Sequence, residues 1–195
     1  MGKEAEIEYV ALLKQGDQKA FRRLVAENQN RIFGYLLRML GNPQEAEEVA
    51  QEVFIAAFRF IGSFRGEGSV TTWLLKIASN MYKNRIRYNV RRRRSKETSI
   101  DDIIERPTFR PLGERGDSPE GILASKELAG ALEEAIQALP DDFREVLVLR
   151  DIELMPYAQI QESTGLPEGT IKSRLHRARH QLSLLLKEHL EGRKL

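Results

Sequence analysis

Apolar residues recur at three- and four-residue spacing along most of the chain, and Gly or Pro interrupts the repeat at intervals, so the pattern predicts amphipathic helices throughout. It places them near Glu4 to Lys14, Gln18 to Leu40, Pro43 to Phe60 and Val70 to about Val90. Four more follow, near Glu120 to Leu139, Pro140 to Glu153, Pro156 to Thr164 and Glu168 to Leu190. On the third helix Ala46, Val49, Ala50, Val53, Ala57 and Phe60 share an inward face, and Glu45, Glu48, Glu52, Ile55 and Arg59 share the opposite, solvent-directed one. On the fourth, Val70, Trp73, Leu74, Ile77, Ala78 and Met81 cluster on one side. Helix starts are marked as well: Asn42-Pro43-Gln44-Glu45 supplies an N-cap, a proline at the first helical position and a carboxylate three residues after the cap, and Ser118-Pro119 repeats the first two.

Between about Val90 and Asp117 the periodicity fails. The stretch holds a basic run and then Pro107, Pro111, Gly113 and Gly116, and it reads as an extended or disordered linker. The expected architecture is therefore all-α, with one small helical domain over 1–90, a linker over 91–118 and a second helical domain over 119–195.

A length of 195 residues suits one ordinary domain or two small ones, which agrees with this division. Charged residues make up 31% and aromatics 7%, the balance of a solvated helical protein rather than of an enzyme with a deep apolar pocket. With no cysteine there is no disulfide framework, cysteine-rich zinc site or cysteine nucleophile, and a reducing cytoplasm is the expected location. No run approaches the roughly 18 apolar residues of a membrane span, and the first residues lack a signal-peptide pattern, so no membrane insertion is expected. The formal net charge of +2 hides a segregation. Lys83, Arg85, Arg87, Arg91, Arg92, Arg93, Arg94 and Lys96 occur without an intervening acid, whereas Glu45, Glu47, Glu48 and Glu52 occur without a base. Blocks of opposite sign imply more than one kind of partner, nucleic acid among them.

From Pro156 to Arg179 the chain reads as a short helix, a tight turn through Gly165 and a longer helix that opens Glu168-Gly169-Thr170-Ile171-Lys172-Ser173-Arg174-Leu175-His176-Arg177. This is the layout of a helix-turn-helix, whose second helix enters the major groove. If Ile171, Leu175, Ala178 and Leu182 form the core stripe, then Lys172, Ser173, His176, Arg177 and His180 face away from it, a set suited to phosphate anchoring and base-edge reading. A solvated basic helix is the bland alternative. His176 and His180 have i, i+4 spacing but no nearby carboxylate or cysteine to complete a metal site.

In the N-terminal half Thr72, Lys76, Lys83 and Arg87 form a stripe bordered by Asn80 and Trp73. Cations beside an aromatic and an amide resemble a track for single-stranded nucleic acid. Judged alone, Trp73 reads more readily as core than as a stacking platform. Phe64-Arg65-Gly66-Glu67-Gly68-Ser69 precedes the stripe as a glycine-flanked loop suited to an extruded base, and it lacks the Gly-Lys-Ser/Thr ending of a phosphate loop. Ile55 on an acidic face hints at a protein-binding surface, with a solvated acidic helix as the plain alternative.

Together these residues resemble the extracytoplasmic-function, or group four, class of bacterial RNA polymerase sigma factors. The likeness rests on Glu45-Ala46-Glu47-Glu48-Val49-Ala50-Gln51-Glu52-Val53-Phe54, Phe64-Arg65-Gly66, Trp73-Leu74 and Ile77-Ala78-Ser79-Asn80 in region two. In region four it rests on Leu139-Pro140, Phe143-Arg144-Glu145-Val146 and Gly169 to Arg179. The resemblance implies that Glu45, Glu48, Gln51, Glu52 and Ile55 grip the clamp coiled coil of core RNA polymerase. It implies that Phe64, Arg65, Thr72, Trp73, Lys76, Asn80, Lys83 and Arg87 melt and capture the minus-ten element of promoter DNA. It implies further that Thr170, Lys172, Ser173, Arg174, His176 and Arg177 read the minus-thirty-five element. Partners would be the polymerase clamp and flap, promoter DNA and an anti-sigma factor, with no cofactor and no catalytic residue. Where the family has two acids in the first helix of the helix-turn-helix this chain has Ala158-Gln159, and Met155-Pro156 replaces the usual small residue before the tyrosine. A stand-alone helix-turn-helix regulator is the alternative, but it leaves the acidic helix, Trp73 and the basic run idle. An enzyme is a third reading, for which no nucleophile with a base, metal cluster or phosphate loop is found.

Overall fold

The computed structural model describes residues 3–66, 68–95 and 119–192. Among them are α1 (Lys3–Lys14), α2 (Gln18–Leu40), α3 (Pro43–Phe60), α4 (Val70–Ser95), α5 (Pro119–Ala138), α6 (Asp141–Leu147), α7 (Tyr157–Thr164) and α8 (Glu168–Gly192), and no strand. They form two compact units, one built on α1–α4 and one on α5, α6, α8 and all but the last three residues of α7. The linker expected over 91–118 lies from 96 onward outside the described residues, as does the expected cap Ser118.

In the first unit the helix ends follow local chemistry. The Asp17 carboxylate accepts from the Ala20 N–H at 2.7 Å and caps α2, which stops at Gly41 in the left-handed region. Asn42 accepts from the Glu45 N–H at 3.0 Å and caps α3, as its sequence predicts. Both α3 and α4 lie against α2. Leu24, Ile32, Tyr35, Leu36 and Met39 meet Val49, Val53 and Ala57 and then Leu74, Leu75, Ala78 and Tyr82 in the core.

Three expectations are corrected here. Phe60 does not point inward: it is 60% exposed, because α3 ends there and a 3-10 turn over Ile61–Ser63 sends Ile61 into the core instead. On α4 the buried residues are Val70, Leu74, Leu75, Ala78, Ser79 and Tyr82, about one position further along the helix surface than the predicted side. Ser79 is fully buried on this face, and Trp73, Ile77 and Met81 are left half-buried at the edge. Finally α4 continues to Ser95 rather than ending near Val90, so the arginine run begins as helix.

The second unit packs α5, α6 and α8 together. Its core joins Ala135, Ile136 and Leu139 to Val146, Leu147 and Leu149, and to Ile160, Ile171, Leu175 and Ala178. The Arg144 side chain is buried at the end of α5, where it donates from Nε to the Ile136 carbonyl at 3.1 Å and from Nη2 to those of Gln137 and Leu139 at 2.6 and 2.7 Å. One guanidinium thus satisfies carbonyls that a helix end leaves open. The single helix expected over Pro140 to Glu153 is instead α6 followed by a π turn, Val148–Ile152. That turn runs into Leu154, an exposed leucine held at φ 57°, before Met155 is buried. The helix-turn-helix turn is as predicted: Gly165 sits at φ 74° and its N–H reaches the Gln161 carbonyl at 2.7 Å.

Candidate nucleic-acid interfaces

The entry into α4 is fixed from two sides. The Ser69 hydroxyl accepts from the Thr72 N–H at 3.2 Å and lies 2.9 Å from the Thr72 hydroxyl, making a helix cap. On the inner side the Thr71 hydroxyl donates at 2.8 Å to Asn28, a buried α2 side chain whose amide nitrogen is anchored on the Leu24 carbonyl. Sequence reasoning missed Asn28, since a lone polar residue on a helix carries no pattern. Before this entry, Gly66 and Gly68 adopt φ 77° and 97°, a backbone region that other residues rarely take.

Phe64 corrects the expectation of a direct DNA contact. It is only 4% exposed, and its ring packs 5.6 Å from that of Trp73 at an interplanar angle of 53°. Phe64 supports Trp73 from beneath, while Arg65 beside it is exposed. The turn of α4 carries Trp73 toward the outer border, in line with Lys76, Asn80, Asn84, Arg87 and Arg91 at spacings of three and four. Thr72 and Lys83 lie on the adjoining flank. The structure therefore brings the predicted minus-ten residues onto one helix and its leading loop, with Phe64 serving as their foundation.

The acidic face of α3 is not simply solvent-directed. Arg85, with a side chain 20% exposed, donates from Nη1 to Glu48 at 3.1 Å and from Nη2 to Glu52 at 3.2 Å, and Asn89 donates to Glu45 at 3.3 Å. Glu48 and Glu52 remain more than half exposed, so they are held in place and still reachable. Gln51 and Ile55 are exposed beside them, together with Phe58, whose ring meets Phe21 edge-on at 5.0 Å. Next to Gln51 a groove of about 430 Å³ runs between Val25, Asn30 and Phe33 of α2 and Glu47, Gln51 and Phe54 of α3. Phe58 and this groove were not read from the sequence, because Phe54 and Phe58 sit at spacings equally suited to core.

On α8, Ile171, Leu175 and Ala178 are buried, and Lys172, Ser173, His176, Arg177 and His180 are exposed, as the periodicity requires, while Leu182, expected to continue the core stripe, is only half-buried. The Ser173 hydroxyl donates to the carbonyl of half-buried Thr170 at 3.0 Å. Lys172 pairs with Glu168 at 2.6 Å and lies 5.5 Å from the Tyr157 ring centre, which also has the Arg150 guanidinium 4.6 Å away. The Glu168 hydrogen bond and charge raise the Lys172 pKa, so its ammonium stays charged. Arg174 corrects an expectation. It turns away from the exposed face toward α6, pairing with Asp142 at 2.9 Å with 26% of its side chain exposed. Arg179 is likewise engaged, gripping Asp151 through two bonds of 2.8 and 2.6 Å.

Two helical units, one with a cation and aromatic stripe and one with a helix-turn-helix, define a two-part nucleic-acid-binding protein. The family model for sigma-70 region 2 matches residues 24–94, and that for sigma-70 region 4 matches residues 129–182. The chain is 35% identical over 183 residues to the RNA polymerase sigma-H factor of Pseudomonas aeruginosa, covering 94% of each. It is 36% identical over 173 residues to the ECF RNA polymerase sigma-E factor of Haemophilus influenzae, covering 89% of this chain and 90% of the relative. Its fold matches the sigma factor RpoE of Bartonella quintana, solved in complex with the anti-sigma factor NepR, with a TM-score of 0.69 at 21% identity over 87% of this chain and 98% of that one. The chain belongs to the sigma-70 family of RNA polymerase sigma factors, in its extracytoplasmic-function branch. Among the described residues no helix is long and apolar enough to cross a membrane, and no group of three or more potential ligands is placed to hold a metal ion.

Proposed function

We propose that this chain is a cytoplasmic promoter-specificity subunit: it binds core RNA polymerase, opens and captures the minus-ten element with α4 and its leading loop, and reads the minus-thirty-five element with α8. The observation that carries this reading is the outward stripe of α4, on which Trp73, backed by Phe64, stands in line with Lys76, Asn80 and Arg87. A duplex-reading regulator has no use for an aromatic platform beside a run of cations, whereas an unpaired strand offers base faces to stack and phosphates to neutralise. Arg65 and Thr72 flank the place where an extruded base would sit, with Lys83 on the backbone side. On α8, Arg177 and His176 take base edges, Lys172 and Ser173 take phosphates, and Thr170 sets the helix start. Arg174 serves the fold.

Glu48, Gln51, Glu52 and Ile55 make the polymerase surface, with Glu45 and Arg85 holding the two acids and Phe58 and Phe54 widening it. Basic residues of the clamp coiled coil match that face, and the flap is the expected contact of the second unit. The chain itself does no chemistry in this reading, and an anti-sigma factor is its expected inhibitor. Transcription from a promoter library by core polymerase, with and without the chain, tests the proposal. Start sites sharing upstream and minus-ten motifs only when the chain is present support it; an unchanged set of start sites contradicts it.

A further inference from the structure

α2 buries a line of residues four apart, Ala20, Leu24, Asn28 and Ile32, and one of them is polar. Asn28 is 5% exposed, and burying an amide in such a stripe is costly unless it finds hydrogen-bond partners. It finds them at both ends. Nδ2 donates to the Leu24 carbonyl one turn back at 2.9 Å, and Oδ1 accepts from the Thr71 hydroxyl of α4 at 2.8 Å. The Leu24 carbonyl can only accept, so the amide nitrogen is the end that meets it, and the oxygen is left facing α4. One bond therefore orients the other.

We infer that Asn28 is a positioning residue for minus-ten capture: through Thr71 it fixes the rotation of α4 against α2, and so the place of Thr72, Trp73 and Lys76 relative to the unpaired strand. The inference rests on the minus-ten role proposed for α4. Asn28 lies too deep to touch DNA, so its effect passes through the helix it holds. The apolar contact between α2 and α4 is non-directional and by itself leaves α4 some freedom to turn. A hydrogen bond is far less tolerant of distance and angle. Thr71 is the second residue of α4, next to Thr72 and two before Trp73, so the tie acts where the stripe begins. Turning the helix by about 20° moves a side-chain tip ~5 Å from its axis by roughly 2 Å, more than half of the roughly 3.4 Å between successive bases.

The chain has a single tryptophan, Trp73, whose fluorescence reports the position of the stripe directly. The test compares the native full chain and its holoenzyme with Asn28→Leu/Thr71→Val, Thr71→Val and Thr71→Ser. The double variant replaces both partners by apolar groups of similar size and leaves neither of them buried without a partner, so native unfolding and native holoenzyme assembly are expected. Acrylamide quenching of Trp73 in the free chain should nevertheless rise about twofold, and holoenzyme affinity for a fork template with a single-stranded minus-ten element should fall about tenfold. Thr71→Val should show the same two changes, and Thr71→Ser, which keeps the hydroxyl, should show neither. A double variant of native stability with native quenching and native fork affinity shows a pair that serves stability alone and overturns the inference. If the double variant does not fold, the two single variants decide: tight fork binding by Thr71→Ser and weak binding by Thr71→Val supports the inference, and equal binding by the two overturns it. Failure of the native holoenzyme to bind the fork overturns the minus-ten role itself.

Discussion

The two units use arginine in opposite ways. On α8 and its supports, Arg144, Arg174 and Arg179 are taken by the fold, satisfying carbonyls at the end of α5 and pairing with Asp142 and Asp151. This leaves Lys172, His176, Arg177 and His180 on the exposed side. On α4 Arg85 is spent inward, to steady two glutamates of α3, while Arg87 and Arg91 remain exposed. A duplex reader needs a few side chains set rigidly against base edges, so arginines that lock the helix in place serve it. A helix that follows a single strand needs continuous charge and a stacking surface. The number of basic residues on a helix is thus a poor guide to its DNA contacts until their acidic partners are known.

The contrast between supporting and contacting residues is sharpest at Phe64 and Trp73. Phe64→Ala removes a buried ring and should destabilise the first unit by about 3 to 5 kcal/mol, read by denaturant unfolding. Trp73→Ala, half-buried at the edge, should cost less stability and more promoter opening. A stable Phe64→Ala protein with a specific loss of minus-ten binding would return Phe64 to the DNA surface. Arg144→Ala comes next: leaving buried carbonyls unpaired should cost about 2 to 3 kcal/mol in the second unit without altering base preference in whatever fraction remains folded.

Arg177→Ala should leave unfolding unchanged and weaken use of the minus-thirty-five element by about 1 to 3 kcal/mol, relaxing preference at one position. Arg174→Ala is its counterpart. As a partly exposed pair with Asp142, it should cost no more than about 1 kcal/mol of stability and leave base preference intact. If the two variants exchange these outcomes, the division between fold and readout on α8 is wrong.

Helix number, the helix-turn-helix turn at Gly165 and the inward stripes of α3 and α8 were legible because periodicity, capping and glycine conformation are local properties. Phe60 was misplaced because its spacing continues the α3 stripe, and only the 3-10 turn that follows shows Ile61 taking its place. The α4 face was set slightly wrong because Ser79 is polar by type, yet it is fully buried in the fold. The roles of Arg85, Arg174 and Arg179 were hidden for a different reason. An ion pair between helices depends on tertiary distance, and a basic side chain looks the same in sequence whether it meets a carboxylate or solvent.

The central claim, that the outer face of α4 holds an unpaired strand, is tested most directly by permanganate reactivity of promoter thymines in complexes of holoenzyme with Lys76→Ala/Lys83→Ala. The account predicts that thymines in the minus-ten element, reactive with the native protein, lose most of that reactivity in the double variant. Duplex binding at the minus-thirty-five element, measured by footprinting on the same promoter, should persist. Full thymine reactivity in the double variant at equal promoter occupancy would contradict the account and leave the stripe a solvated helix face.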